Sequence, residues 1–287
     1  MESITLRALR RLSIGAPNHA FIRFDCVAVI RWFLEHIISP AGSLTRIYGL
    51  RETELCVLDD LRLATVNRAE RAHIQILSSS IHITACGSSS GIRVESEIES
   101  PEFVLPFFPA LAAVDIQELW FSVVRSRRPY CMESQFDVIS AMFPGVTTLV
   151  LLHDVPLDAL LPPDTGAPLF PALDSLRIYQ DTNFFQALPL VYVAKKRAEH
   201  GYRIRHLVVQ RKAHPYSTSS GWDADGKVQE GDWSVDTSND EQREVEFIHH
   251  ALSAYVDIVE VATYEQPPSM EVPDYCNEYP HRYWPAW

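Results

Sequence analysis

An apolar phrase returns at intervals along this chain and limits the folds open to it. Phe-Pro-Ala-Leu stands at Phe108–Leu111 and again at Phe170–Leu173, and Phe-Pro-Gly-Val stands at Phe143–Val146. Each leads into the spacing Ø-x-x-Ø-x-Ø, where Ø is apolar: Leu111/Val114/Ile116, Val146/Leu149/Leu151 and Leu173/Leu176/Ile178. The spacing recurs without Phe-Pro at Leu9/Leu12/Ile14, Ile204/Leu207/Val209 and Val256/Val259/Val261, and in degraded form at Leu44/Ile47 and Ile81/Ile83. Phe-Pro reads as a helix stop, because the residue before proline is pushed away from helical angles.

Between these phrases the periodicity becomes helical. Asp25–Ile38 aligns Val29, Trp32, Phe33, His36 and Ile37 on one stripe. Ser134–Phe143 opens with Ser-x-x-Asp and aligns Phe136, Ile139 and Met142/Phe143. Asn183–His200 ends in Lys195-Lys196-Arg197 ahead of Gly201, the cations and C′ glycine suited to a helix end. Asp240–Tyr255 stripes Val245, Ile248, Leu252 and Tyr255. Strand alternating with helix, at a period near thirty residues, predicts an α/β fold: an irregular leucine-rich-repeat solenoid with parallel strands on the concave face and helices on the convex face. The usual asparagine three residues past the last apolar position is missing, since Leu119, Asp154, Asp181, Lys212 and Tyr264 stand there. Repeat starts fall 35, 27 and 31 residues apart from Leu111 to Ile204, which agrees with irregularity. Ile81–Cys86 and Ile92–Glu97 alternate around Gly87–Gly91 and predict a β-hairpin.

The solenoid is expected over 1–263, with 212–239 as a disordered acidic loop, and 264–287 as an aromatic tail (Tyr279, Tyr283, Trp284, Trp287) capping the last repeat. Charge supports the division. Residues 1–211 hold 22 acids and 21 bases, whereas 212–287 hold 15 acids and 4 bases. An acidic final quarter repels nucleic acid and anionic membrane, so neither is an expected partner. The longest apolar run, Val104–Val114, is eleven residues with two prolines, too short to span a bilayer. With no secretory signal in Met1–Gly15, the expected location is cytoplasmic or nuclear. Five scattered cysteines (Cys26, Cys56, Cys86, Cys131, Cys276) without a C-x-x-C pair read as free thiols.

Little in the sequence asks for chemistry, and no catalytic residue, metal or cofactor is expected. Gly87-Ser88-Ser89-Ser90-Gly91 matches G-x-S-x-G, which makes a serine hydrolase using Ser89 a remote alternative, but that motif needs a helix after the serine and Ile92–Glu97 reads as a strand. His249-His250 lacks ligand spacing and reads as one histidine near the core and one in solvent. Glu95, Glu97, Glu99 and Glu102 read as a solvated face. Basic clusters occur at Arg125/Arg127/Arg128 and at Lys195–Arg197 with Arg203, Arg205 and Arg211; the second belongs to a helix end, where it can also dock the acidic 223–246 region. The chain therefore reads as a binding module, not an enzyme. Outward positions beside the repeat leucines form the expected surface: Arg11, Tyr48, Arg177, Tyr179, His206, Gln210 and Glu260, with Arg177 and His206 on adjacent parallel strands.

Phe-Pro-Ala-Leu-Asp-Ser-Leu-Arg-Ile (Phe170–Ile178), the helix ending Lys-Lys-Arg-Ala-Glu-His-Gly, Ile-Arg-His-Leu-Val-Val (Ile204–Val209), Val272–Cys276 and His281–Trp287 together resemble the C-terminal repeat region of the F-box/leucine-rich-repeat-like family of mushroom-forming fungi. The resemblance covers most of the chain, best from Pro101 onward. It implies a repeat region that recruits targets for ubiquitylation, with a cullin adaptor bound by an F-box. The chain departs from the family at that point: it has no Leu-Pro-x-Glu-type opening, and repeat sequence begins by Leu6–Ile14. An adaptor contact is thus expected only if an F-box lies upstream, and a free-standing repeat scaffold unrelated to ubiquitin is the alternative.

Overall fold

The computed structural model describes residues 4–5, 10–15, 26–38, 40, 42–60, 68–98, 103–106, 108–123, 132–152, 155, 157–163, 167–180, 187–212, 221–222, 228–229 and 237–272. Ten of its strands form one sheet: β2 (Arg11–Gly15), β4 (Leu44–Arg51), β5 (Arg71–Ile76), β6 (Ser80–Cys86), β7 (Gly91–Glu97), β8 (Glu118–Val123), β9 (Thr148–Leu152), β10 (Ser175–Gln180), β11 (His206–Lys212) and β14 (Ile258–Tyr264). Two strand pairs stand apart, β1 (Ile4–Thr5) with β3 (Ile37–Ile38) and β12 (Gly221–Trp222) with β13 (Val228–Gln229). The last pair falls inside 212–239, so that stretch is not structureless throughout; most of the rest of it lies outside the described residues.

Strand order across the sheet is β2-β4-β7-β6-β5-β8-β9-β10-β11-β14. Every neighbouring pair is parallel except those of β6, which runs antiparallel to both β5 and β7. The expected hairpin is therefore present as β6–β7. It belongs to a three-strand meander whose first member, β5, alternates polar residues with Ala72, Ile74 and Ile76 and lies outside the sequence-based expectation. Ile81/Ile83 sit in the antiparallel strand and are not a repeat member. That position belongs to Ala69/Ala72/Ile74, which align with the repeats through the β5–β8 register.

From β5 to β14 one hydrogen-bonding step recurs before each strand. The Glu70 carbonyl accepts from Gln117 and Glu118 N–H, Gln117 from Thr147 and Thr148, Thr147 from Asp174 and Ser175, Asp174 from Arg205 and His206, and Arg205 from Asp257 and Ile258. Each shared carbonyl satisfies two donors where a chain enters the sheet, which keeps successive strands in identical register. Ala69, Ile116, Val146, Leu173, Ile204 and Val256 stand immediately before these steps, and all are buried. This corrects one repeat: the unit containing Phe108-Pro109 is Ile116/Leu119/Phe121, not Leu111/Val114/Ile116, because Leu119 and Phe121 pair with Leu149 and Leu151. Phe108-Pro109 opens a helix, with Pro109 at its first position.

The helices form one layer over one sheet face. They are α1 (Cys26–His36), α2 (Pro109–Ala112), α3 (Met132–Met142), α4 (Ala187–Glu199) and α5 (Thr237–Leu252), with 3-10 turns at Glu52–Asp60 and Leu157–Leu160. Neighbours in this layer follow chain order, as the strands beneath them mostly do. A continuous core runs from Ile14 to Val256 between the layers. In α1 the buried residues are Ile30 and Leu34, while Val29 and Trp32 are exposed, so the expected stripe was one residue out of phase. Cys26–Leu34 is apolar at all but Arg31, and such a run supports two helical stripes equally well. The α3 stripe lies where expected, with Phe136, Ile139, Met142 and Phe143 buried.

The end of α4 follows its sequence cue. Gly201 has φ 83, Gly201 N–H bonds Ala198 O at 3.1 Å, and Tyr202 N–H bonds Arg197 O at 2.8 Å, the paired bonds of a Schellman cap. Arg197 itself departs from its expected role as a helix-end surface cation. It is fully buried and donates from Nη1 to Leu169 O (2.9 Å) and from Nη2 to Phe170 O (3.0 Å).

Gln135 in α3 braces the preceding segment in the same way. Its buried amide accepts from Leu105 N–H at 2.8 Å and donates to Phe103 O at 2.5 Å. Gln135→Glu keeps the acceptor but sets a second acceptor against Phe103 O, and is expected to cost about 2–3 kcal/mol at pH 7. Burial raises the folded pKa of the new carboxyl above its unfolded value, so the loss is absent below the unfolded pKa and grows as pH rises towards the folded one. Urea denaturation at pH 7 and pH 5 should show the deficit shrinking at the lower pH; an equal deficit at both would rule out the acceptor clash.

Candidate functional site

Strand alternation separates the two sheet faces. Leu149 and Leu151, Leu176 and Ile178, Leu207 and Val209 point into the helix-covered core. The residues between them point to the opposite, outer face. All seven expected binding residues belong to that outer set, but the structure divides them into two groups. Arg177 and Tyr179 (β10), His206 and Gln210 (β11) and Glu260 (β14) occupy three adjacent strands, while Arg11 (β2) and Tyr48 (β4) lie at the far end of the sheet. His206 pairs in register with Ser175, and Arg177 with Val208, so Arg177 and His206 are diagonal neighbours. His206 Nε2 lies 2.9 Å from Glu260 Oε1 at an exposed position. Tyr48 stacks beneath the Arg46 guanidinium, 4.5 Å from its ring centre.

Tyr179 is buried, because the chain beyond β14 crosses the outer face. Tyr264 packs edge-on against Tyr179 at 5.7 Å and donates its hydroxyl to Gln180 O at 3.1 Å. Farther on, Met270 joins Cys86, Trp120, Val150, Leu152 and Tyr179 in a second apolar cluster on this face. Glu271 then reaches Arg71 on β5 (3.4 Å), and its carbonyl accepts from the Cys86 thiol at 3.9 Å. Burial pushes that thiol up to about 11, so it stays protonated as the donor. Fully extended, the seven residue steps from Tyr264 to Glu271 span about 24 Å, and the five strand steps from β14 to β5 come to about the same. The described part of the expected tail cap is therefore an extended strap running from β14 towards β5. Residues 273–287, with the aromatic finish, lie outside the described residues.

A group missed from sequence lies on the same face near β4. Arg46 donates to Glu95 through Nε (2.9 Å) and Nη2 (2.7 Å), and Arg93 Nε pairs with Glu95 at 2.8 Å. Burial alone would raise the Glu95 pKa; the Arg46 hydrogen bonds and the Arg93 charge outweigh it and hold the carboxyl below its usual range. His82 is lowered by burial and then by Arg93, whose Nη2 donates to Nδ1 at 3.3 Å. Glu95 is thus an ion-paired bridge and not part of a solvated face. Its partner Arg46 lies 49 residues away, a separation no local pattern reports.

Ser89 sits at the exposed tip of the β6–β7 turn, closed by Gly87 N–H to Ser90 O at 2.9 Å, and strand β7 follows it. That is not the strand-to-helix elbow a nucleophilic serine requires. His249 and His250 are both exposed at the end of α5, so neither lies near the core. Arg125, Arg127 and Arg128 lie outside the described residues. Among the described residues no three His, Cys, Asp or Glu side chains gather as a metal would require, and no helix is long and apolar enough to cross a membrane. No protein-family model matches the chain, and neither a curated protein nor a solved structure does.

Proposed function

We propose that this chain is an irregular leucine-rich-repeat solenoid whose outer strand face binds a protein partner, as the target-binding repeat region of an F-box-like protein. The observation that carries the reading is the recurring carbonyl step from Glu70 to Arg205. It sets six parallel strands in one register and lines their outward side chains into rows. A row of fixed side chains on a rigid sheet is a preorganised surface, which lowers the entropic cost of binding. On β10, β11 and β14 the rows carry Arg177, His206, Gln210 and Glu260, a mixed-charge set suited to a polar protein surface.

Partners captured by proximity labelling should bind the purified chain directly, and the double variant Arg177→Ala/His206→Ala should weaken them at least tenfold. Unchanged affinity for every captured partner would reject the face. The ubiquitin part of the proposal depends on an F-box in the same polypeptide. It is tested by mapping the 5′ end of the transcript and then measuring adaptor binding.

A further inference from the structure

We propose that Ser175 and Arg177 form a seat for a carboxylate side chain, taken from an extended partner segment that crosses the outer face. This rests on the reading of that face as a binding surface. Ser175 Oγ and Arg177 Nε are both buried, and neither has a hydrogen-bond partner among the described residues. Buried donors are almost always paired, so two orphans two residues apart on one strand face mark a place where a ligand can supply the missing acceptors. The register sets Arg177 between Val150 on β9 and Val208 on β11, both buried, with buried Tyr179 two residues along the strand. The stem of Arg177 is thus flanked by apolar residues and its Nε is buried, and a charge-assisted hydrogen bond made there is stronger than in open water.

The surrounding charges select the occupant. Glu260 lies in the row of Arg177 and Glu118 in the row of Ser175, each two strands away, or about 10 Å. Two carboxylates at that range oppose a doubly charged phosphate more than a singly charged carboxylate, whose planar oxygens also match the guanidinium fork. The same face holds a solvent-exposed carboxylate–arginine contact. The strap anchors Met270 in the outer apolar cluster and places the neighbouring Glu271 carboxylate 3.4 Å from Arg71. A partner segment with an acidic residue beside an apolar one would repeat that arrangement at Arg177.

The test is selection from a random-peptide display library on the whole chain, followed by affinity measurements. Selected peptides should share an Asp or Glu whose change to Asn or Gln weakens binding at least tenfold on the wild type and little on Arg177→Gln. Arg177→Lys, which keeps the charge and loses the fork, should also weaken binding, and provides a second variant should Arg177→Gln fail to fold. Selection on Arg177→Glu should replace the acid with Lys or Arg. Peptides without a shared acid, bound equally by Arg177→Gln but lost on His206→Ala, would overturn the seat and leave the face standing. Peptides indifferent to both variants, or no selected peptide at all, would overturn both. A phosphoserine in place of the acid that binds tenfold tighter would overturn the choice of carboxylate.

Discussion

Arg197→Ala is expected to lower the unfolding free energy by about 3–5 kcal/mol, read by urea or thermal denaturation. The guanidinium closes the turn that leads into β10, and its removal orphans the carbonyls of Leu169 and Phe170 in the interior. It also leaves a cavity along the aliphatic stem, since the side chain has no solvent exposure. Phe170 adds to the cost. Its φ of 50 lies in the left-handed region that a bulky residue adopts only when its surroundings enforce it, and the ring is needed in the core, so glycine cannot substitute. Burial lowers the Arg197 pKa to about 10, so the group is charged throughout the neutral range. A base whose folded pKa is depressed changes its contribution only as pH rises through that value, so the deficit should be flat between pH 6 and pH 8. Arg197→Met restores the stem without the donors and should lose about 1–3 kcal/mol. Equal losses from Ala and Met would assign the whole effect to the carbonyls, and a loss below about 1 kcal/mol in both would refute the brace.

Phe136→Ala is the second large effect, at about 3–5 kcal/mol. Phe136 is fully buried in α3 and joins two sheet-side rings, Phe121 at 4.9 Å and Phe170 edge-on at 6.1 Å. Truncation removes both ring contacts and opens a void between the helix layer and the segments that carry Phe121 and Phe170. Phe136→Leu keeps most of the volume and should cost under about 1.5 kcal/mol. Because Phe136 and Arg197 both act on Phe170, the double variant Phe136→Ala/Arg197→Ala should lose less than the two single losses combined. Strict additivity in that cycle would show that Phe170 does not couple them.

The α/β alternation and the facing of the strands were legible in the sequence because both rest on short periods. A two-residue alternation placed Arg177, His206 and Glu260 on the outer face without knowledge of any contact, and Gly201 marked the end of α4. What stayed hidden depends on distant partners or weak letters. The β5 repeat is spelled with two alanines, Ala69 and Ala72, too small to register as an apolar phrase. The Phe108-Pro109 copy drew attention five residues upstream of the true strand unit at Ile116/Leu119/Phe121. In sequence Arg197 reads as the last of three helix-end cations, because the carbonyls it bonds lie 27 and 28 residues away. Orphaned atoms at Ser175 and Arg177 are a property of packing on both sides of a strand, which no spacing encodes.

The inversion of β6 has a consequence for how the chain assembles as it is made. Strand β4 is synthesised before β5, yet its neighbour towards the main sheet is β7, which leaves the ribosome three strands after β4. The Arg11–Arg51 strands can pair with each other early, but they join the main sheet only once Glu97 has emerged. The meander of β5, β6 and β7 closes through loops of a few residues, the least entropically costly connections in the sheet. It is therefore a two-sided template: the waiting N-terminal strands dock on β7, while β8, β9, β10, β11 and β14 add one at a time to the edge that begins at β5, in the order of translation.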